Sequence, residues 1–197
     1  MRKKLYLIAI LIFLPAASLS QVTSPAEEYR SGKEYRNTLS VFREFPIAPA
    51  TNPEAEIYRI FIVPTFYHAL SIRVEKSGSG YLLVAKRLSG QGDYGWGTLK
   101  DEKKRRLSER EWQTFLNLLN ETSFWSMPAG QDREFEPPEG VEAAICCMDS
   151  TSWILEGMRR GKYHVVDRYC PELKGVKEIG LHMVKLTKWK IKESDLR

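Results

Sequence analysis

The strongest constraint on how this chain folds is an alternation. Leu70, Ile72 and Val74 are apolar, whereas Ser71, Arg73 and Glu75 between them are polar, the period-two signature of a strand with one buried and one wet face. The Ser77-Gly78-Ser79-Gly80 cluster supplies turn chemistry, and Tyr81 to Leu88 returns as a second strand. A register that sets Glu75 opposite Tyr81 places Ile72 and Val74 beside Val84 and Leu82, with Arg73 on the other face. Such a hairpin needs a cover for its apolar side. Ser108 and Glu111 have the spacing of a helix capping box, with Leu107 and Trp112 as its hydrophobic staple. Trp112, Phe115, Leu116 and Leu119 then recur at helical spacing and give one apolar face.

The rhythm repeats further on. Trp153 to Met158 and Lys162 to Tyr169 read as a hairpin around Arg159-Arg160-Gly161. The register expected there puts Trp153, Leu155, Tyr163 and Val165 on one face, and Ile154, Glu156, His164 and Val166 on the other. Pro171 opens a last helix striped by Leu173, Val176, Ile179, Met183 and Leu186. Ile57 to Val63 is a β-branched and aromatic run that stops at Pro64, Leu99 to Leu107 reads as a charged edge strand, and Val141 to Cys147 as a further strand. Hairpins without crossover helices predict an α+β fold, a mostly antiparallel sheet with two helices packed on one face. The expected domain covers residues 56–191. Residues 21–55, punctuated by Pro25, Pro46, Pro49 and Pro53, read as a polar linker or loosely docked arm, and 192–197 as a tail.

The first twenty residues read as an address. Arg2, Lys3 and Lys4 precede an apolar run from Leu5 to Leu14, and small residues allow cleavage after Ser18 or Ser20, the order of a secretory signal peptide. The run is too short for a membrane span, which needs about 20 apolar residues, so no stable span is expected once the leader is cleaved. The location implied is periplasmic or secreted. Taking the three leader cations from the total of 30 Lys and Arg, against 25 Asp and Glu, lowers the formal charge from +5 to about +2. Nucleic-acid binding loses its charge support, since that footprint is a strongly basic face. Hydrophobic residues at 43% and charged residues at 28% leave out collagen-like, coiled-coil and wholly disordered chains.

Motifs that carry chemistry are sparse. Gly90-x-Gly92-x-x-Gly95 matches a dinucleotide fingerprint, but Trp96 to Asp101 opens no helix to hold a pyrophosphate, so no cofactor is expected. Lys103-Lys104-Arg105-Arg106 is flanked by Asp101, Glu102, Glu109 and Glu111, which suits a solvated strand edge. His68, His164 and His182 lack metal-ligand spacing, so no metal site is expected. Asn120-Glu121-Thr122 is a glycosylation sequon, read as chance because the short basic leader looks more bacterial than eukaryotic. In an exported chain Cys147 is expected to pair with Cys170, with Cys146–Cys170 as the alternative. Glu156 and His164, opposed in the expected hairpin register, form the one acid/base candidate.

The Leu70–Leu88 hairpin, the Leu107-Ser108-x-x-Glu111-Trp112 helix start and Phe124-Trp125 form a familiar set with Trp153-Ile154-Leu155-Glu156-Gly157 and Gly161 to Arg168. Together they resemble an uncharacterised exported bacterial protein family, a domain of unknown function with a hairpin–helix–hairpin–helix plan, over residues 57–190. The resemblance implies a fold and assigns no catalytic residue. The expected function is a non-enzymatic binding or inhibitor-like module of the bacterial envelope, with a protein or envelope ligand as partner and Tyr94 and Trp96 as contact residues. The alternatives are a hydrolase using Glu156 and His164, and a structural envelope component.

Overall fold

Six strands form one antiparallel sheet in the order β4-β3-β2-β1-β5-β6. They are β1 (Glu56–Pro64), β2 (Leu70–Ser77), β3 (Gly80–Leu88), β4 (Leu99–Leu107), β5 (Thr151–Arg159) and β6 (Lys162–Tyr169). Among the described residues three α-helices accompany them, α1 (Lys33–Phe42), α2 (Glu109–Glu121) and α3 (Val176–Thr187). The fold is α+β. This computed structural model describes residues 29–47, 55–78, 80–130, 151–171 and 175–196. The leader, the expected strand at 141–147, Leu173 and both members of the Cys146-Cys147 pair lie outside the described residues.

Helices α2 and α3 cover one face of the sheet. Tyr58, Ile60 and Ile62 of β1, Leu70, Ile72 and Val74 of β2, and Trp153 and Leu155 of β5 meet Trp112, Phe115, Ile179 and Met183 in one core. The start of α2 forms as its sequence dictates. The Glu111 amide donates to Ser108 Oγ at 3.2 Å, and the Ser108 amide donates to Glu111 Oε2 at 2.9 Å. Both staple residues, Leu107 and Trp112, are buried. Arg105 and the Ser108 amide, both donating to Glu111, hold its carboxyl down to about 2, so the cap persists well into acid. Ser108→Ala is expected to cost about 1 kcal/mol in urea denaturation. An unchanged midpoint would show that tertiary packing alone holds this helix end.

Helix α3 approaches the sheet closely enough to need a glycine. A Cβ at Gly180 would stand 2.4 Å from the Trp153 ring and 2.7 Å from Ile60 Cδ1. The helix starts at Val176, later than Pro171, with Gly175 as its N-cap.

The second face is covered as well, by residues 29–47 of the segment expected to be a polar linker or loosely docked arm. Tyr35, Leu39 and Phe42 of α1 pack with Phe61, Val63, Ala69 and Leu88, and Ile47 is buried beyond them. The physical reason lies in β1, whose residues alternate between the two faces yet are nearly all apolar. A strand apolar on both sides must be buried on both sides. The expected C-terminal tail also docks: Glu193–Leu196 forms a 3-10 turn and inserts Leu196 into the main core.

Both hairpin registers differ from expectation by one residue. Observed pairs include Glu75 with Leu82 and Val74 with Leu83 in the first hairpin, and Glu156 with Val165 and Gly157 with His164 in the second. Each hairpin closes on a two-residue loop, with Ser77 opposite Gly80 and Arg159 opposite Lys162. The expected registers had allowed a third loop residue. A one-residue slip moves a whole strand's side chains to the other face, and that decides the fate of the acid/base candidate.

Candidate functional site

Two loops meet at one end of the sheet and build an aromatic tip. The first leaves β1 at Pro64 and carries Phe66, Tyr67 and His68; the second joins β3 to β4 through Gly90–Gly97. The second loop is closed on itself by backbone bonds from Ser89 to the Thr98 carbonyl (2.8 Å) and from Gly90 to the Trp96 carbonyl (3.1 Å). It is also pressed against the first loop: a Cβ at Gly92 would stand 1.7 Å from the Pro64 carbonyl oxygen, so only glycine fits. His68 Nδ1 lies 3.0 Å from the Gly90 carbonyl and ties the loops together.

On this support Tyr94 stands 70% exposed, stacked on the half-exposed Phe66 at 5.8 Å between centroids, with Tyr67 exposed beside them. Trp96, the other expected contact residue, is partly buried and packs edge-on against Phe42 at 6.0 Å. It holds the loop to α1, leaving Tyr94 as the outward-facing member of the pair. Phe66 and Tyr67 were missed in the sequence. The signal available for them was two adjacent aromatics just after the proline that ends β1. The glycine motif runs through a 3-10 turn, Gly92–Tyr94, and then into strand β4, so the motif itself opens no α-helix. Next to the tip lies a small cavity of about 60 Å³, lined by Tyr67, His68, Arg87, Lys190 and Leu196.

The second candidate, the Glu156–His164 pair, is not assembled. Glu156 points to the α1 face and His164 to the α2–α3 face, a direct result of the observed register. His164 packs against Phe124 at 5.1 Å and Trp125 at 6.1 Å. Burial, followed by the nearby Lys162, lowers its pKa, so it sits as a neutral ring in an aromatic corner.

Glu156 instead anchors a buried ion network. Its Oε2 accepts from Arg59 Nε at 2.8 Å and Nη2 at 2.5 Å, and its Oε1 accepts from the Tyr163 hydroxyl at 2.7 Å. Burial opposes the charge on Arg59, but the Glu156 carboxylate outweighs it and raises its pKa. Burial and then Glu156 push the Tyr35 hydroxyl up to about 12 and Tyr163 higher still. Both tyrosines therefore keep their protons. From the arm, Glu44 reaches down between Arg59 (3.5 Å), Arg73 (3.2 Å) and Lys86 (2.7 Å), and Arg73 also pairs with Glu75. Charge is matched in this network, and each guanidinium donates to a fixed acceptor, which is what a buried ion cluster requires. Its role is to seat the arm on the sheet. Arg73, expected on a solvated face, is buried beneath it.

The basic run of β4 is an edge, as its charge pattern implied. Lys104 and Arg106 face solvent, whereas Arg105 turns inward to Glu111 and donates to the Leu186 carbonyl at 2.7 Å. Among the described residues there is no group of three or more His, Cys, Asp or Glu placed to hold a metal ion. No helix of the described residues is long and apolar enough to cross a membrane. Cys170 follows β6, whereas both of its expected partners, Cys146 and Cys147, lie outside the described residues. Comparison with protein-family models, curated proteins and solved structures returns no match.

Proposed function

We propose that this chain is an exported, non-enzymatic binding module of the bacterial envelope, and that it holds a protein partner through the aromatic tip. The single observation that carries this reading is the exposed Phe66–Tyr94 stack on a loop that is braced rather than loose. Aromatic side chains with few rotatable bonds bury large area at low entropic cost, and they dominate binding energy where they anchor an interface. Soluble proteins rarely leave three such rings adjacent in water without a use. The leader motif supports export. The hydrolase reading has lost its geometric basis, because Glu156 and His164 lie on opposite faces of the sheet.

The test is photo-crosslinking in intact cells from a benzophenone amino acid at position 94, followed by affinity measurement with the protein captured. The double substitution of Phe66→Ala and Tyr94→Ala is expected to weaken that affinity by at least roughly tenfold, with thermal stability retained. Equal affinity in the double variant, or no adduct from position 94, refutes the proposal.

A further inference from the structure

At the far end of β1 from the aromatic tip, the β5–β6 hairpin turns beside the chain leaving α2. Trp125, Arg159, Arg160 and Lys162 enclose an open notch there of about 230 Å³. Trp125 forms its apolar wall, with Lys162 Nζ 5.8 Å from the ring centroid. Of the three cations, Arg159 has one distant carboxylate, Glu56 at 4.0 Å. Among the described residues, Arg160 and Lys162 pair with none. The notch therefore brings three cations together at an exposed rim, with Glu56 as their one carboxylate among the described residues.

The backbone adds an independent observation. Arg160 and Gly161 both have positive φ, 52° and 74°, the type I′ turn whose first position favours asparagine or glycine. Arginine in the left-handed region is conformationally unfavourable and gains no hydrogen-bond partner within the described protein in return. Residues held in such conformations concentrate where they serve a ligand.

We propose that this notch binds a phosphate group carried on a small organic moiety, such as a sugar phosphate or a phospholipid headgroup. Two guanidinium forks and one ammonium suit the several oxygens of a phosphate better than the two of a carboxylate. The Trp125 face would take the attached carbon skeleton. The site is separate from the aromatic tip, since β1 alone runs roughly 27 Å between them, and it stands whether or not the tip binds protein.

The test uses the full chain at low ionic strength. Glycerol phosphate, inorganic phosphate, and vesicles with or without phosphatidylglycerol are titrated while the Trp125 indole resonance is followed. The expected result is that glycerol phosphate or the anionic vesicles shift this signal and acetate does not. Response to glycerol phosphate identifies a soluble ester as sufficient, and response to vesicles alone identifies a lipid headgroup. The double change of Arg160→Asn and Lys162→Ala is expected to weaken binding by roughly tenfold or more. Arg160→Asn alone is expected to raise Tm by about a few degrees, because asparagine suits this turn. That gain separates loss of the site from loss of the fold. Full binding by the double variant, no response to any phosphate probe, or an equal response to acetate overturns the proposal.

Discussion

Glu156→Ala is expected to lower stability by about 3–5 kcal/mol, because it strands the Arg59 guanidinium in the protein interior. Arg59 and Glu156 have no exposed side-chain surface, and two of the three Arg59 nitrogens donate to that one carboxylate. The remaining partners, the Phe45 carbonyl at 2.7 Å, the Tyr35 hydroxyl at 3.1 Å and Glu44 at 3.5 Å, belong to the arm. Without Glu156 the guanidinium has either to recruit water or to pull the arm out of place. For a domain of this size the loss corresponds to a fall in Tm on the order of 10 °C. A Glu156→Leu, Arg59→Leu double variant is expected to lose much less than the sum of the two single changes, since removing both charges leaves nothing unpaired. Tyr163→Phe, which removes only the 2.7 Å bond to Oε1, should cost about 1 kcal/mol. Denaturation midpoints of the five variants, the two single leucine changes included, decide the matter. A loss below about 1 kcal/mol for Glu156→Ala would show that the cluster is hydrated and the arm only loosely seated.

Phe42→Ala is expected to cost about 3–5 kcal/mol, the range for emptying a fully buried aromatic site. Phe42 has no exposed surface, and its ring contacts Phe61 at 5.4 Å and Trp96 at 6.0 Å. It joins three parts of the molecule: the arm, the central strand and the loop that carries Tyr94. Its removal should therefore do more than lower the unfolding midpoint. Limited proteolysis should begin within residues 29–47, and hydrogen exchange in the Gly90–Gly97 loop should accelerate, because that loop rests on Trp96. A variant with native Tm and native protease resistance would mean that α1 contributes cover without stability. That outcome would restore the view of an arm.

The elements that were legible in the sequence are those whose causes lie within a few residues. The Ser108–Glu111 box formed as spaced, because each partner sits one helical turn from the other and needs nothing beyond the local backbone. The alternation in Leu70–Glu75 produced a strand, and the charges of Leu99–Leu107 placed it at the sheet edge. Helix α1 was also written locally, as Tyr35, Thr38, Leu39 and Phe42, but over only ten residues and without a capping side chain at Gly32. So short a segment is marginal by itself. It is ordered by Phe61, Val63, Ala69 and Leu88, none of which lies near it in the chain.

What the sequence determined by itself was the six strands of the sheet and the helices α2 and α3, their order and the hairpin connections, because periodicity and capping are local physics. What only the tertiary structure decided was which side chains share a face. Each hairpin loop holds two residues where three were expected, and that single residue moved His164 away from Glu156. Glu156 was thereby placed beside Arg59, a partner 97 positions away, under the segment after α1 that reaches down with Glu44. The charges read as a wet sheet face became a buried, paired network, because covering β1 on both sides removed more apolar surface from water than pairing those ions cost.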